Sequence, residues 1–176
     1  LIKIMDILRF SEAPMKDESI EEYEHHEYEP ITGTNLNNPG EIRINIETQD
    51  LFTLNNYITF TGMSKVTKAD GSAYADTDSV SLTNNALMHL FSNIKYQLSG
   101  QEMESIFYPG QGTTMLGLLK YPDDFSKQSY LIKSPDPKGT FSFRIPLRHI
   151  FGFCEDYEKI IYGRKQTLTL VRKSDN

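Results

Sequence analysis

The sequence predicts an all-β protein, an antiparallel jelly-roll sandwich with short helical insertions in its loops. Short runs of alternating apolar and polar residues recur along residues 31–176. Alternation with a period of two is the pattern of a strand that has one buried face. Turn residues such as Asn, Asp, Pro and Gly separate these runs at short intervals, as in sandwiches built from many short strands.

The strand pattern is clearest at residues 40–48, whose sequence is GEIRINIET. Ile42, Ile44 and Ile46 fall on one side of an extended chain, and polar residues fall on the other side. This alternation predicts a half-buried strand that has one face in water. The same pattern is found in three further runs, at residues 57–66, 140–147 and 166–173.

Residues 94–106 predict a β-hairpin. Ile94 and Tyr96 alternate with polar residues up to the pair Ser99-Gly100, and apolar residues return after that pair. A glycine-containing pair between two alternating runs is a strong indication of a tight turn.

Two segments predict short helices in the loops between strands. In residues 81–93, the spacing of Leu87, Leu90 and Phe91 is i, i+3, i+4, which places apolar side chains on one helix face. Residues 113–121 predict a second helix, which ends before a proline because the residue before proline avoids helical angles. The broad apolar face of this second helix consists of Met115, Leu116, Leu118 and Leu119.

Apolar residues of the predicted strands, helices and apolar runs are expected to form one core. Truncation of such a side chain costs a few kcal/mol, roughly 2–5 for the larger ones, when the side chain is buried. These residues have a structural role in this interpretation, and none of them is predicted to bind a ligand. The predicted core residues are Ile42, Ile44, Ile46, Leu90, Phe91, Phe141, Phe143, Ile145, Phe151, Phe153, Leu168 and Leu170.

The net charge of −6 arises entirely from the first part of the chain. Residues 1–30 contain three basic and nine acidic side chains, whereas residues 31–176 contain fifteen of each. We interpret residues 1–30 as an acidic N-terminal arm and residues 31–176 as the jelly-roll domain. A neutral domain lacks the basic stripe of nucleic-acid-binding proteins, so no specific nucleic-acid partner is expected. No apolar run has the roughly 18 residues that a membrane span requires.

The sequence predicts no metal centre and no cysteine nucleophile. The four histidines do not share the alternate spacing on one strand that a metal site inside a β-barrel requires. His25 and His26 are adjacent in the acidic arm and are interpreted as exposed. Cys154 follows His149 by five residues, and positions five apart on a strand face opposite sides. We therefore interpret Cys154 as a small buried apolar residue.

Phosphate-binding and carboxylate motifs are also weak. Residues 110–114, GQGTT, superficially resemble a phosphate-binding loop but lack its lysine and its spacing. We interpret them as a glycine turn in which Thr113 caps the helix that follows, and no cofactor is expected. The acidic pairs at 123–124 and 155–156 are adjacent in sequence and predict solvated loops. The sequence therefore predicts a protein that is not an enzyme.

Four long phrases resemble a known family. Taken together, they are similar to the N-terminal jelly roll of the double jelly-roll major capsid protein of Polinton/Maverick elements and adintoviruses. The resemblance covers roughly residues 35–176. The phrases, in order, are PGEIRINIETQD, DGSAYADTDSVSLTNNALMHLFSNIKYQLSGQEMESI, YPGQGTTMLGLLKYPDDF and SYLIKSPDPKGTFSFRIPLRHIFGFCEDYEKIIYGRKQTLTLVRKSDN.

This resemblance implies a structural subunit of an icosahedral-type shell that assembles through trimeric capsomers. The implied partners are copies of the same chain in a homotrimer and capsid lattice, and other capsid proteins such as a penton. The implied location is the virion, assembled inside the host cell in the cytoplasm or nucleus. The arm 1–30 would then be a tether between subunits or to the inner shell, and the loops 68–79 and 122–138 would form the outer tower or capsomer contacts.

Two departures from the family follow from the same comparison. Family members have an extra stretch before the segment similar to residues 129–133, so we expect a shortened or omitted loop at 127–129. The family also has a second jelly roll after the segment similar to residues 166–176. We therefore expect the sequence to be a fragment of a two-roll protein or a form reduced to one roll.

Two other functions remain compatible with the sequence. One is a capsid-derived protein that a host retains for a binding task. The other is a jelly-roll carbohydrate-binding module, for which Asp76 and Asp78 are the one indication of a calcium site.

Overall fold

The part of the chain that the structure describes folds into eight short β-strands, three helices and two 3₁₀ turns. The computed structural model describes residues 22–32, 39–48, 50–75, 82–83, 85–120 and 139–174. The strands are β1 (Glu41–Ile46), β2 (Phe52–Leu54), β3 (Thr59–Lys65), β4 (Phe91–Leu98), β5 (Gln101–Phe107), β6 (Thr140–Pro146), β7 (Ile160–Tyr162) and β8 (Gln166–Arg172). The helices are α1 (Ala86–His89), α2 (Pro109–Lys120) and α3 (Gly152–Asp156), and the 3₁₀ turns are Asn55–Tyr57 and Leu147–His149.

The strands pair in a nested antiparallel order. β1 pairs with β8, β2 with β7, β3 with β6 and β4 with β5, so each pair encloses the next. This is the pairing of one long hairpin that has rolled up on itself, which is the jelly-roll arrangement. β8 also pairs with β4, which gives a four-stranded sheet of order β1-β8-β4-β5. The predicted fold class, an all-β jelly-roll sandwich with helical insertions, is confirmed.

One core lies between the four-stranded sheet and the β3–β6 pair. Ile44 of β1 lies opposite Leu168 of β8, and both pack in one cluster with Phe143 of β6. Ten of the twelve residues predicted for the core are buried, whereas Leu90 and Phe153 are partly buried and pack against it. Buried apolar residues that the predicted core did not include are Leu87, Met88, Ile94, Tyr96, Leu147, Ile150 and Ile161.

Tyr96 joins three separate segments of the chain inside the core. Its hydroxyl donates to Oε1 of Gln166 in β8 at 2.8 Å and accepts from Nδ2 of Asn55, in the first 3₁₀ turn, at 2.9 Å. Burial raises the pKa of Tyr96 well above its ordinary value, so the hydroxyl remains a donor. A buried polar group without a partner costs about 1–3 kcal/mol, so these two hydrogen bonds stabilise the closed fold.

The carboxylate of Glu104 in β5 holds the start of α3. Its two oxygens accept the backbone N–H groups of Gly152 at 3.2 Å and of Phe153 at 3.0 Å. The first N–H groups of a helix have no partner within the helix, so they need acceptors from elsewhere. A side chain from a distant strand therefore fixes where α3 begins.

The first predicted helix is a single short turn. Residues 81–93 were predicted to contain a helical turn or short helix, and α1 spans Ala86–His89, whereas β4 begins at Phe91. The helical spacing that Phe91 shares with Leu87 and Leu90 is misleading, because Phe91 pairs with β8. Pairing and burial in the sheet outweigh the local helical pattern at this point.

The second predicted helix begins earlier than expected. α2 starts at Pro109, so residues 110–114 lie inside the helix and do not form a separate turn. Proline suits the first turn of a helix, because its nitrogen has no hydrogen that needs a partner. The prediction that Thr113 caps the helix was wrong, since its hydroxyl donates to the carbonyl oxygen of Pro109 at 2.6 Å, one turn earlier.

Part of the predicted arm lies against the sheet. Residues 22–27 are exposed, whereas the backbone N–H of Ile31 donates to the carbonyl oxygen of Arg43 in β1 at 2.8 Å. Pro30 also forms an isolated bridge with Ile44. The end of the arm therefore lies beside β1. Predicted features outside the described residues are positions 1–21 of the arm, the second part of the loop 68–79, the loop 122–138 with its expected break at 127–129, and the acidic pair at 123–124.

Gly62 makes room for an aromatic ring between β3 and β6. It lies directly opposite Phe143 in the paired strands. A Cβ atom at position 62 would lie under 3.0 Å from Cζ of Phe143. Because Phe143 is buried in a close-packed core, its ring has little space to move away.

We predict that Gly62→Ala lowers the free energy of unfolding by about 1–3 kcal/mol, because the added methyl group overpacks this contact. Gly117→Ala is the matched control, since no atom lies within 4 Å of a Cβ added there. That change lies in α2, where alanine is favoured over glycine by roughly 0.5–1 kcal/mol. Chemical denaturation of both variants measures the difference. Equal stability of the two variants would contradict the proposed role of Gly62.

We predict that Tyr96→Phe lowers the free energy of unfolding by about 1–3 kcal/mol, because the amides of Gln166 and Asn55 lose their buried partner. Tyr57→Phe is the control, because the side chain of Tyr57 is exposed, and it should change stability by less than about 0.5 kcal/mol. Urea denaturation followed by circular dichroism tests both variants. If Tyr96→Phe unfolded at the same urea concentration as the wild type, the two hydrogen bonds would not stabilise the fold.

Candidate functional site

Cys154 lies inside α3 and is fully buried. Burial, together with the charge of Glu104, raises the pKa of its thiol to about 12. The thiolate is the nucleophilic form, so the side chain is protonated and unreactive near neutral pH. The expectation that Cys154 and His149 lie on one strand was wrong, because His149 ends a 3₁₀ turn and Cys154 is helical. The burial of Cys154 agrees with its interpretation as a small apolar residue.

The described histidines do not form a metal site. His149 is half-buried, and burial together with the nearby charge of Arg148 lowers its pKa. In the arm, His25 and His26 are exposed, and Nε2 of His26 lies 2.9 Å from the carboxylate of Glu24. Within the described residues, no three His, Cys, Asp or Glu side chains come together to hold a metal ion.

The glycine-rich segment 110–114 has a packing role. A Cβ atom at Gly110 would lie 2.5 Å from Cγ of His89 in α1, so glycine allows α1 and α2 to approach closely. Asn85 strengthens the same junction, because its Nδ2 donates to the hydroxyl oxygens of Thr113 at 2.5 Å and of Thr114 at 3.1 Å. These packing contacts and hydrogen bonds explain why the segment contains glycine and threonine, without a role in phosphate binding.

The first surface of functional interest is the outer side of α2. We define the α2 face as Met115, Leu116, Leu118 and Leu119, all of which are exposed. α2 contributes only Pro109 and Gly110 to the buried interior. The sequence predicted this helix and its broad apolar face, but the pattern alone does not show whether that face lies inside the fold or on its surface.

A second exposed apolar surface lies on the short β2–β7 pair. We define the β2–β7 face as Leu51, Phe52, Ile160 and Tyr162. Phe52 and Tyr162 lie opposite each other, with ring centroids 5.0 Å apart and ring planes at 40°. The neighbouring residue Ile161 points to the other side and is buried, so this pair is apolar on both sides. The sequence analysis did not identify this surface, because three-residue strands are too short to show a period.

The outer side of the four-stranded sheet has a different chemical character. Across neighbouring strands, Oγ1 of Thr167 donates to Oδ1 of Asn45 at 3.1 Å. Lys95 of β4 and Glu102 of β5 form an ion pair at 3.7 Å. Polar groups with balanced charge cover this side, as is usual for the wet face of an antiparallel sheet. None of the helices in the described residues is long and apolar enough to cross a membrane.

We predict that Cys154 reacts with iodoacetamide far more slowly in the native protein than in the unfolded chain at about pH 8, because its raised pKa keeps the thiolate fraction low and burial blocks access. Mass spectrometry measures this directly, since Cys154 is the one cysteine of the sequence. The same reaction in guanidinium chloride is the control. Equal rates in both solutions would contradict the burial of the thiol.

Comparison with known protein families identifies a domain in this chain. The profile of the double jelly roll-like domain matches residues 80–176, which is more than half of the chain. No curated protein and no solved structure matches. The matched residues contain β4 to β8, and β1 and β3 complete the sandwich by pairing with β8 and β6. Nested strand pairing and the profile therefore agree, and the chain belongs to the double jelly roll-like domain family.

Proposed function

We propose that this protein is a structural subunit of a viral or virus-like-transposon capsid, a major capsid protein that assembles with copies of itself. The observation that carries this proposal is membership of the double jelly roll-like family, because this domain is typical of viral capsid proteins. The resemblance to the capsid proteins of Polinton/Maverick elements and adintoviruses supports the same function. It also supports an origin of this protein in that group of elements and viruses.

In this proposal, trimeric capsomers are the building blocks of an icosahedral-type shell. The partners are copies of this chain and other capsid proteins such as a penton, and the protein is part of the virion after assembly in the host cell. Subunits of such shells need large surfaces that become buried on assembly. The α2 face and the β2–β7 face are exposed surfaces that suit this need.

The arm and the exposed loops have supporting roles in the proposal. Residues 1–30 carry the whole net charge of −6, and Pro30 at their end forms a bridge with Ile44 of β1, so they are suited to link one subunit with the next. The first part of the loop 68–79 is an exposed turn, in which Asp70 accepts hydrogen bonds from the N–H and hydroxyl of Ser72 at 2.9 and 2.7 Å. An exposed turn of this kind is available for capsomer contacts.

We propose a structural role and not a catalytic one. The thiol of Cys154 is buried with a raised pKa, and the glycine-rich segment at 110–114 is used for helix packing. These observations support the proposal, because the candidate nucleophile and the candidate phosphate-binding segment both have structural roles.

We predict that the purified protein forms oligomers or closed shells whose size rises with protein concentration, because self-association follows mass action. Light scattering after size-exclusion chromatography measures the mass, and electron microscopy of the same fractions shows whether the particles are shells. A protein that remains a monomer at every concentration and salt tested would contradict the capsid proposal.

A further inference from the structure

The α2 face groups four large exposed apolar side chains on one helix. Its four large apolar residues are between 53% and 85% exposed. They lie within roughly half of the helix circumference, because residues one, three and four positions apart are neighbours on a helix. The only charged residue of α2 is Lys120, which is its last residue and pairs with Glu155. The helix therefore presents an uncharged apolar ridge.

The β2–β7 face is a second apolar surface of a different shape. Its four residues are between 39% and 64% exposed, and they include the Phe52–Tyr162 ring pair. Aromatic rings on a short sheet make a flat surface, whereas aliphatic side chains on a helix make a convex one. Leucine and methionine side chains pack well on aromatic rings, and the sulfur of methionine adds a favourable contact.

The combined area fits one interface between proteins. At about 180 Å² for a large apolar side chain, the α2 face exposes roughly 500 Å² and the β2–β7 face roughly 400 Å². A stable interface of about 1,600 Å² is about 57% apolar, which corresponds to about 900 Å². Docking one face on the other would therefore bury the apolar part of one standard interface. Each face lies within the roughly 300–600 Å² of the largest apolar patch on a typical monomer, and patches of this size are often functional.

We propose that α2 of one copy docks on the β2–β7 face of a second copy, and this proposal rests on the proposed self-assembly of the chain. The two faces lie on different elements and differ in chemistry, so their contact is head-to-tail. A symmetric contact of α2 with α2 would leave both β2–β7 faces exposed. Head-to-tail contacts close into rings when the rotation between copies allows it, and a trimeric capsomer is such a ring.

Two sets of substitutions separate the faces. The helix variant carries Leu118→Gln and Leu119→Gln, which keep good helix formers. The sheet variant carries Phe52→Thr and Tyr162→Thr, which keep strand-forming residues. Ile160→Thr is a milder sheet variant that leaves the ring pair intact. Met63→Thr is the matched control, because Met63 is an exposed apolar residue of β3 outside both faces.

We predict that the helix variant and the sheet variant are each monomeric under conditions in which the wild type and Met63→Thr assemble. Mixed in equal amounts, the two variants should form a dimer of one copy of each, because one intact contact remains between them. Ile160→Thr should weaken assembly on its own, because it alters the β2–β7 face. It should still form a dimer with the helix variant, because that contact uses its intact α2 and the intact β2–β7 face of the helix variant. Analytical ultracentrifugation of the separate and mixed proteins measures these masses.

Several outcomes would overturn this contact. If the helix variant or the sheet variant assembled at the same concentration as the wild type, the proposed contact would be overturned, whereas the capsid proposal would remain. Two monomeric variants that stay monomeric when mixed would show that α2 of one copy does not dock on the β2–β7 face of another. A sheet variant that still dimerises would indicate a symmetric contact of α2 with α2. A large fall in the melting temperature of the helix variant, without a change in assembly, would mean that the same chain covers α2. A wild type that never assembles would contradict both the contact and the capsid proposal.

Discussion

The last strand of the domain, β8, pairs with β1 on one side and β4 on the other, and the rest of the fold depends on this position. The pairing of β8 with β1 brings together two segments that are far apart in the chain. Closing such a long loop costs conformational entropy, and burial of side chains must offset that cost. Leu168 and Leu170 supply this burial on the core side, and Thr167 and Thr169 are buried on the other side by neighbouring strands. Tyr96 then fixes β8 to β4 through its hydrogen bond to Gln166.

The sequence predicts the regular strands well and the segments shaped by distant contacts poorly. Ile42, Ile44 and Ile46 alternate cleanly, and they are buried because β1 has one face in the core. Phe91 has helical spacing with its neighbours, but its pairing with Arg172 of β8, 81 residues later in the chain, decides its structure. The start of α3 depends on the carboxylate of Glu104, a contact that no local pattern contains. Local periodicity reports burial, whereas it does not report which distant group completes an element.

The same limit applies to the candidate surfaces. The apolar pattern of α2 was visible in the sequence, but a helix that packs inside its own domain and one that packs on another protein have the same pattern. Among the described residues, the apolar side of this helix is exposed, and Asn85 and His89 hold the start of the helix. The catalytic alternatives become weaker, because Cys154 is buried in the core and Gly110 packs against His89. Family membership and exposed apolar faces therefore point to assembly as the common explanation.

Electron cryomicroscopy of the assembled protein shows directly which surfaces join the copies. We expect particles or capsomers in which α2 and the β2–β7 face are buried between copies. Density that shows both faces in solvent, within a particle held together by other surfaces, would contradict the proposed contact. A sample that contains only separate monomers would contradict the central claim that this protein is a self-assembling structural subunit.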